Sequence, residues 1–396
     1  MQNVPPPEIL YLSHCVPNPP NKGEKIRAFH QLKYLSGRFR IHLACFGRDR
    51  EDVEAARELS RFCESVHVEL HSGSAALLKA GIRFLGGASL NTSFYWSRQL
   101  LRHVHELQAA RPIRAALAYS AVMFPYIPEG VPGLLDMIDV DSEKWFSYAA
   151  ERRPGFLYAM EARRLRKAEI RFAGKAALSF FTTASEEQLF RNFSPASPRT
   201  AVLENGVDFE YFDPDKVTAA PVFGKRNLVF TGTMDYHPNI EAARSFVSGI
   251  LPELRRADPA VEFIVLGRNP SRDVLRLAET PGVRVTGAVP DVRPYLKAAD
   301  AVVAPLRIAR GIQNKVLEGL AMGKPVFVSQ AVALTFGSGV PPGVTSCGCP
   351  REYLKALEPG PLSGEEIRAA TRKRFTWDGN RILGDALAGV IENGTT

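Results

Sequence analysis

The sequence has no run of about 18 apolar residues, which is the minimum that a membrane-spanning helix requires. Its N-terminus, MQNVPPPEIL, has no basic segment followed by an apolar run, so it does not have the pattern of a secretory leader. We therefore expect a chain that is neither exported nor membrane-spanning and that resides in the cytoplasm.

Cysteine is scarce, and its spacing excludes the usual cysteine frameworks. There are five cysteines, an odd number with no C-x-x-C pair, which argues against a disulfide scaffold and against a zinc site. Cys347 and Cys349 flank one glycine, and we interpret them as ordinary thiols, with metal or redox use as the alternative. The sequence predicts no metal site and is consistent with a reducing compartment.

Acidic residues are outnumbered by basic ones, which gives a formal charge of +8 and a pI near 9.2. This balance favours anionic partners such as phosphorylated metabolites, nucleic acid or an acidic membrane surface. Nucleic acid is the weakest of these, because aromatic residues do not alternate with the basic ones as they do in stacking surfaces. No nucleic-acid partner is therefore predicted.

The 396 residues are enough for two domains, each with a full core, and apolar strand-like runs alternate with helical patterns throughout. Continuously apolar strands separated by helices predict parallel sheets that are covered on both faces. The predicted fold class is α/β, with two Rossmann-like, doubly wound domains facing a cleft. The predicted boundaries are 1–210 and 211–375, and the helical piece in 376–396 is a candidate to return to the first domain.

The strand AVVAPL (301–306) is followed by the loop RIARGIQ and by a short helix, predicted to start near Ile312. Ligands of open parallel sheets bind beyond the carboxyl ends of strands, where a glycine such as Gly311 allows close approach of an anion. Lys315 suits a phosphate, and Glu318 suits the vicinal hydroxyls of a sugar. The alternative is a solvated lysine and glutamate on an ordinary surface helix.

Three carboxylates, Asp136, Asp139 and Asp141, lie at the end of an apolar strand in GLLDMIDVDSEKW. Crowding carboxylates is costly unless they bind donors, cations or hydroxyl-rich ligands. They are therefore candidates to bind such a ligand, while Asp141 could instead cap the following helix.

The loop SHCVPNPPNKGEKIRAFH follows the first strand and contains a single glycine, Gly23. In a functional interpretation its backbone approaches a diphosphate, with charge from Lys22, Lys25 or Arg27. A proline-rich loop with solvated lysines is the equal alternative.

Two further segments carry basic residues on helical patterns, LLKAGIRFLGG (77–87) and ARRLRKAEIRFAGK (162–175). Either is a candidate to lie on anionic lipid. The alternative for both is a solvated basic face.

The block APLRIARGIQNKVLEGLAMGKPVFVS resembles the donor-nucleotide segment of glycosyltransferase family 4, the retaining GT-B enzymes, in which a K-x-L-E-A-M-A-x-G-x-P-V string follows a glycine loop. VRVTGAVPDVRPYLKAADAVVAPL and NLVFTGTMDYHPNIEAA are similar to other parts of that family's second domain. YLSHCVPNPPNKGEKIRAFHQLKYL and LLDMIDVDSEKW resemble the subfamily associated with exosortase (PEP-CTERM) exopolysaccharide systems.

The resemblance implies a glycosyltransferase that moves a sugar from a nucleotide-diphosphate donor to a polysaccharide or lipid-linked glycan. It implies nucleotide-sugar contacts at Gly23, Val289, Arg307, Arg310, Gly311, Lys315 and Glu318, and catalytic roles for Asp139, Asp141 and Lys315. No cofactor beyond the co-substrate and no metal are expected, and contact with an anionic membrane at the inner face of the plasma membrane is an option.

One departure concerns the donor site. Arg310 stands where many members carry a second glutamate, so phosphate neutralisation would shift to Arg307, Arg310 and Lys315. Two other functions remain open, a GT-B-like nucleotide-sugar epimerase and a non-catalytic nucleotide-sugar-binding protein.

Overall fold

The computed structural model describes residues 5–71, 73–151, 153–194, 198–221, 224–309, 311–337 and 339–393. The chain divides into two compact units. The first comprises the residues up to Glu204 together with those from Trp377 onwards, and the second is Asn205–Thr376. The division after Glu204 falls six residues before the predicted boundary.

Within its described residues, the first unit has a seven-stranded parallel sheet in the order β3-β2-β1-β4-β5-β6-β7. The strands are β1 (Glu8–Ser13), β2 (Arg40–Gly47), β3 (Ser65–Leu70), β4 (Ile113–Tyr119), β5 (Gly133–Ile138), β6 (Leu178–Phe181) and β7 (Thr200–Val202). The helices are α1 (Gly23–Leu35), α2 (Arg50–Arg57), α3 (Gly73–Leu85), α4 (Leu90–Phe94), α5 (Arg98–Ala110), α6 (Asp141–Glu151), α7 (Gly155–Lys175) and α8 (Ala184–Phe193), with short 3-10 turns at Glu58–Arg61 and Ala121–Tyr126.

The strands are apolar on both faces because each face of the sheet meets a separate core. Along β1, Ile9 and Tyr11 belong to one buried cluster, while Leu10 and Leu12 belong to the other. This alternation follows the two-residue period of a strand, and it explains why the run EILYLS has no polar face.

The second unit has a six-stranded parallel sheet in the order β10-β9-β8-β11-β12-β13, as far as its residues are described. The strands are β8 (Arg226–Thr231), β9 (Val261–Leu266), β10 (Val283–Gly287), β11 (Ala301–Ala304), β12 (Val326–Val328) and β13 (Val344–Ser346). The helices are α9 (His237–Gly249), α10 (Leu251–Ala257), α11 (Arg272–Arg276), α12 (Arg293–Ala298), α13 (Asn314–Ala321), α14 (Gln330–Leu334), α15 (Pro350–Ala356) and α16 (Gly364–Arg374), with 3-10 turns at Pro214–Lys216 and Leu277–Glu279.

The last helix, α17 (Asn380–Asn393), follows a 3-10 turn at Trp377–Gly379 and packs in the first unit. Its Leu383 and Leu387 are fully buried in the same cluster as Ile9 and Tyr11. The imidazole of His30 stacks on the indole of Trp377 with ring centroids 4.6 Å apart. In the described part of the chain no helix is both long and apolar enough to cross a bilayer.

In each sheet the strand order changes direction once. The change lies between β1 and β4 in the first unit and between β8 and β11 in the second. Open parallel sheets bind ligands beyond the carboxyl ends of the strands at such a switch point. The sheets were correctly predicted as two doubly wound Rossmann-like units, and their topology places a candidate site in each.

Candidate active site

In the second unit, the switch point is built around glycines that let loops approach closely. A Cβ atom on Gly267 would lie 1.6 Å from the carbonyl oxygen of Gly232, and one on Gly232 would lie 2.7 Å from Asn239 Nδ2. Gly311 has φ +63, a left-handed conformation that glycine adopts at little cost. Gly232 and Gly267 therefore let the loops after β8 and β9 come together, and Gly311 lets the loop after β11 adopt a left-handed turn.

Lys315 lies in the first turn of α13 and is buried, with 9% of its surface exposed. Its ammonium donates a hydrogen bond of 2.8 Å to Asn239 Oδ1 and lies 4.4 Å from the centre of the Phe230 ring. Asn239 is in turn fixed by its Nδ2, which donates to the Thr233 carbonyl at 2.9 Å. The interpretation of Lys315 as a solvated surface lysine is therefore wrong.

The electrostatics of the site follow from burial. Desolvation lowers the pKa of Lys315 to about 7, and the negative charge of Glu318 opposes this shift. Desolvation raises the pKa of Glu318, and the charge of Lys315 opposes that shift. The two groups therefore titrate as a coupled pair, and an anionic ligand near the ammonium would favour its charged form.

The helix begins at Asn314, two residues later than predicted, because Gly311 and Gln313 still belong to the loop. Val316, Leu317 and Leu320 are fully buried, as the apolar arc predicted. The side chain of Gln313 makes no capping hydrogen bond at the start of α13, where the backbone amides of a helix favour an anion.

The remaining donor-side residues lie on loops at the same edge of the second sheet. Arg307 follows β11, is exposed, and donates to Glu241 Oε1 at 3.0 Å on α9, the helix that carries Asn239. Val289 follows β10 and packs partly buried against the core of this unit. Arg310 lies outside the described residues.

Sequence reasoning did not identify a stacked pair formed by Arg293 and Tyr211. The guanidinium of Arg293 lies 3.9 Å from the centre of the Tyr211 ring, and Asp291 accepts hydrogen bonds from the Arg293 guanidinium, the shortest being 2.7 Å. The negative charge of Glu318 contributes to raising the pKa of the Tyr211 hydroxyl, after burial and Asp291, which places Tyr211 in the electrostatic range of the site.

In the first unit, backbone strain marks the ends of β4 and β5. Ser120 has φ 76 and Ile138 has φ 70, and a β-branched residue in the left-handed region is a true outlier. Such strain tends to collect at functional sites, where surrounding contacts maintain it. Ile138 immediately precedes Asp139, so the strained residue lies directly before the predicted carboxylates.

The loop that carries Asp139 and Asp141 is fixed by three hydrogen-bonding groups from other elements. Thr182 Oγ1 donates to Asp139 Oδ1 at 2.6 Å, Glu186 accepts from the Val140 amide at 2.7 Å, and Glu169 accepts from the Ser142 amide at 3.0 Å. Burial raises the pKa of Glu169 to about 8.

Glu169 and Glu186 were not predicted as part of this site, because each lies on a helix whose contact with the loop is not visible in local periodicity. Asp141 is the first residue of α6.

Other charged residues that were proposed as ligand contacts in the first unit form ion pairs within that unit. Arg27 is fully buried and forms a two-pronged ion pair with Asp136, with distances of 2.8 and 3.0 Å. Lys25 is buried and pairs with Asp52 at 2.8 Å. Gly23 is exposed as the first residue of α1. The suggestion that Arg27 and Lys25 add charge at a diphosphate is therefore wrong, and Asp136 is not a free carboxylate.

Metal-ligating geometry is not found in the described residues, where no group of three or more His, Cys, Asp or Glu side chains could hold an ion. Cys347 is buried, and Cys349 is exposed and free.

Proteins of known structure share the fold of this chain. Over 98% of this chain and 100% of the other, the fold is similar to sucrose-phosphate synthase from Thermosynechococcus elongatus, with a TM-score of 0.68 and 14% identity. It is also similar to Anabaena HepE in complex with UDP and glucose, with a TM-score of 0.66, 16% identity and coverage of 96% and 99%. The glycosyltransferase WaaG, involved in lipopolysaccharide biosynthesis, gives a TM-score of 0.61, 15% identity and coverage of 96% and 100%. The fold is GT-B, as predicted.

Residues 225–356, which include Asn239, Lys315 and Glu318, match the family described as glycosyl transferases group 1. The second unit thus contains a segment that matches the group 1 glycosyltransferases, and together with the shared fold this match supports a glycosyltransferase. No curated protein sequence matches the chain.

Proposed function

We propose that the chain transfers a sugar from a nucleotide-diphosphate donor to a polysaccharide or lipid-linked glycan, with retention at the anomeric carbon. We further propose that it acts in exopolysaccharide biosynthesis, in contact with the anionic inner face of the plasma membrane. The resemblance to the exosortase-associated subfamily supports this setting. One structural neighbour, WaaG, is named as a glycosyltransferase involved in lipopolysaccharide biosynthesis.

The observation that carries the proposal is the environment of Lys315. An ammonium has three donors, and the described residues supply it with one hydrogen-bond acceptor, Asn239 Oδ1. A buried charge without a full set of partners is costly. A diphosphate at the start of α13 would supply the missing acceptors, and its charge would keep the lysine protonated.

Glu318 lies one turn further along α13 and suits the hydroxyls of the nucleotide's ribose, because a carboxylate accepts two hydrogen bonds side by side. Val289 and the stacked Tyr211–Arg293 pair suit the base, which needs a partly apolar wall. Structures of HepE are named as complexes with UDP and with UDP-glucose, which is consistent with a nucleotide sugar as the donor here.

The chemistry we propose is mainly electrostatic. As the glycosidic bond to the diphosphate breaks, negative charge grows on the leaving phosphate and oxocarbenium character grows on the sugar. Lys315, Arg307 and Arg310, with the amides after Gly311, would stabilise the leaving group, and Gly23 is proposed as a further nucleotide-sugar contact. Asp139 and Asp141 would orient the sugar or the acceptor hydroxyl. These cationic groups make a metal unnecessary in the proposal.

The test has two stages. A thermal-shift screen of nucleoside diphosphates and nucleotide sugars should identify the donor, because any ligand that binds only the folded state raises the melting temperature. Nucleotide release is then measured with and without glycan acceptors. We expect nucleotide release to depend on the acceptor. An epimerase would convert the sugar without an acceptor, and a non-catalytic binder would neither release nucleotide nor convert the sugar.

A further inference from the structure

Helix α3 buries its small residues and exposes its large apolar ones. Ala76 and Ala80 are the buried positions, while Leu77, Leu78, Ile82 and Leu85 are 57%, 70%, 64% and 87% exposed. A helix that packs on a protein core normally shows the opposite pattern. The core of the first unit therefore does not account for the apolar residues of α3.

The exposed side chains form one continuous face. With 3.6 residues per turn, Leu77, Leu78, Ile82 and Leu85 fall within an arc of about 140°. Lys79 and Arg83 are exposed beside this arc, between it and the buried alanines, and the helix sequence GSAALLKAGIRFL has no acidic residue. An apolar face with a basic border is the pattern of a helix that lies in a membrane interface.

Contacts at its C-terminal end hold α3 in this orientation. Arg164 on α7 donates to the backbone carbonyls of Phe84 and Ala88, and its guanidinium lies 4.3 Å from the centre of the Phe84 ring. These contacts satisfy carbonyls at the end of α3 without using its large aliphatic side chains. Small buried side chains, backbone carbonyls and ring contacts thus attach the helix to the first unit.

One further basic residue, Arg98, lies beside the same helix. A cavity of about 620 Å³ is lined by Lys79, Arg83 and Arg98, with the Trp96 ring 5.0 Å from the Arg83 guanidinium. The one carboxylate in its lining, Glu69, accepts a hydrogen bond of 2.7 Å from Ser97. Basic groups next to an indole, beside an apolar helix face, are suited to the headgroup region of an anionic lipid layer.

We infer that α3 lies in the surface of an anionic bilayer, with Leu77, Leu78, Ile82 and Leu85 in the acyl region and Lys79, Arg83 and Arg98 among the headgroups. The inference assigns the proposed membrane contact to one segment of the chain. It rests on the proposed function only for the presence of a membrane-borne acceptor, since vesicle binding requires neither donor nor transfer.

The experiment measures co-flotation of the full chain with phosphatidylcholine vesicles that contain or lack phosphatidylglycerol. We expect binding to the anionic vesicles that weakens with salt. Changing Leu77, Leu78 and Ile82 together to Ser should lower the partition coefficient about tenfold. The double change Lys79→Gln and Arg83→Gln should lower it about thirtyfold on anionic vesicles alone, since each basic residue near the surface adds attraction of about 1 kcal/mol.

A matched control changes two leucines and one isoleucine that are exposed elsewhere, Leu275, Leu334 and Ile382, to Ser. This variant should bind vesicles as the unmodified chain does, and circular dichroism should show that all variants fold. Equal loss in the control, or equal binding by the α3 triple variant, would overturn the inference. It would also be overturned if light scattering showed a dimer that the α3 triple variant converts to a monomer, because a second copy would then cover the face.

Discussion

Replacing Lys315 with methionine removes the buried ammonium while keeping an unbranched side chain of similar length. The loss of a charge-assisted hydrogen bond to a diphosphate should cost about 1.5–3 kcal/mol, or about ten- to a hundredfold in nucleoside diphosphate affinity. Asn239 Oδ1 loses its donor, whereas the cost of burying a charge disappears, so the free energy of unfolding should change by about 1 kcal/mol or less. Isothermal titration calorimetry and urea unfolding measure the two quantities.

The dependence on pH gives a second measure of the same residue. Burial lowers the pKa of Lys315 to about 7, so the ammonium is present below pH 7 and is lost as the pH rises above it. If the diphosphate requires the ammonium, its binding takes up a proton above pH 7, and the affinity falls by up to about tenfold per pH unit. The midpoint belongs to the coupled pair of Lys315 and Glu318, and the methionine variant should lose this part of the slope.

Lys324→Met is the matched control. Lys324 is also partly buried, and burial likewise lowers its pKa, but it lies before β12 at the opposite edge of the sheet. This variant should bind nucleotide with unchanged affinity and unchanged proton uptake. Lys315→Met binding as tightly as the unmodified chain, while still folded, would refute the assignment of Lys315 to the diphosphate.

Three further substitutions test the ribose contact, the first-unit carboxylates and the buried ion pair. Glu318→Ala should weaken donor and free nucleotide together by about 1.5–3 kcal/mol, and unchanged affinity in calorimetry would exclude the ribose role. Asp141→Asn should lower turnover with nucleotide affinity nearly unchanged, and transfer should persist in EDTA. Activity that EDTA abolishes and Mg²⁺ or Mn²⁺ restores, with nucleotide affinity lost in Asp141→Asn, would contradict both expectations. Asp136→Asn should destabilise the fold by about 3–5 kcal/mol in urea unfolding, because Arg27 stays buried without its carboxylate, and a loss below about 1 kcal/mol would contradict the importance of that pair.

The sheets were predictable because burial on both faces leaves a direct mark in the sequence. A strand such as β1, with all six residues buried, cannot carry polar side chains at every second position, so its run of apolar residues identifies a parallel sheet. The orientation of α13 was predictable from its apolar residues. Val316, Leu317 and Leu320 are buried in the core, and this places Glu318 on the other side of the helix. Local periodicity was sufficient for both.

The environment of polar residues was not predictable, because their partners are distant in sequence. The Asn239 amide that holds Lys315 lies 76 residues away, and Asp136 lies 109 residues from Arg27. Nothing in the sequence after β1 distinguishes Arg27, which lies in α1 and is paired inside the fold, from a basic residue that is free to bind a ligand. The left-handed backbone at Ile138 was not predictable either, because isoleucine normally avoids this conformation.

The return of α17 to the first unit has a consequence for how the protein is made. Leu383 and Leu387 fill part of the core that β1 and α1 begin, so that core is incomplete until all of Asn205–Thr376 has been synthesised. The second unit is continuous in sequence and can fold as it leaves the ribosome, whereas the first must keep an apolar surface uncovered in the meantime. Folding of the whole chain should therefore end with the docking of α17, a long-range closure that makes the nascent first unit the natural client of a chaperone.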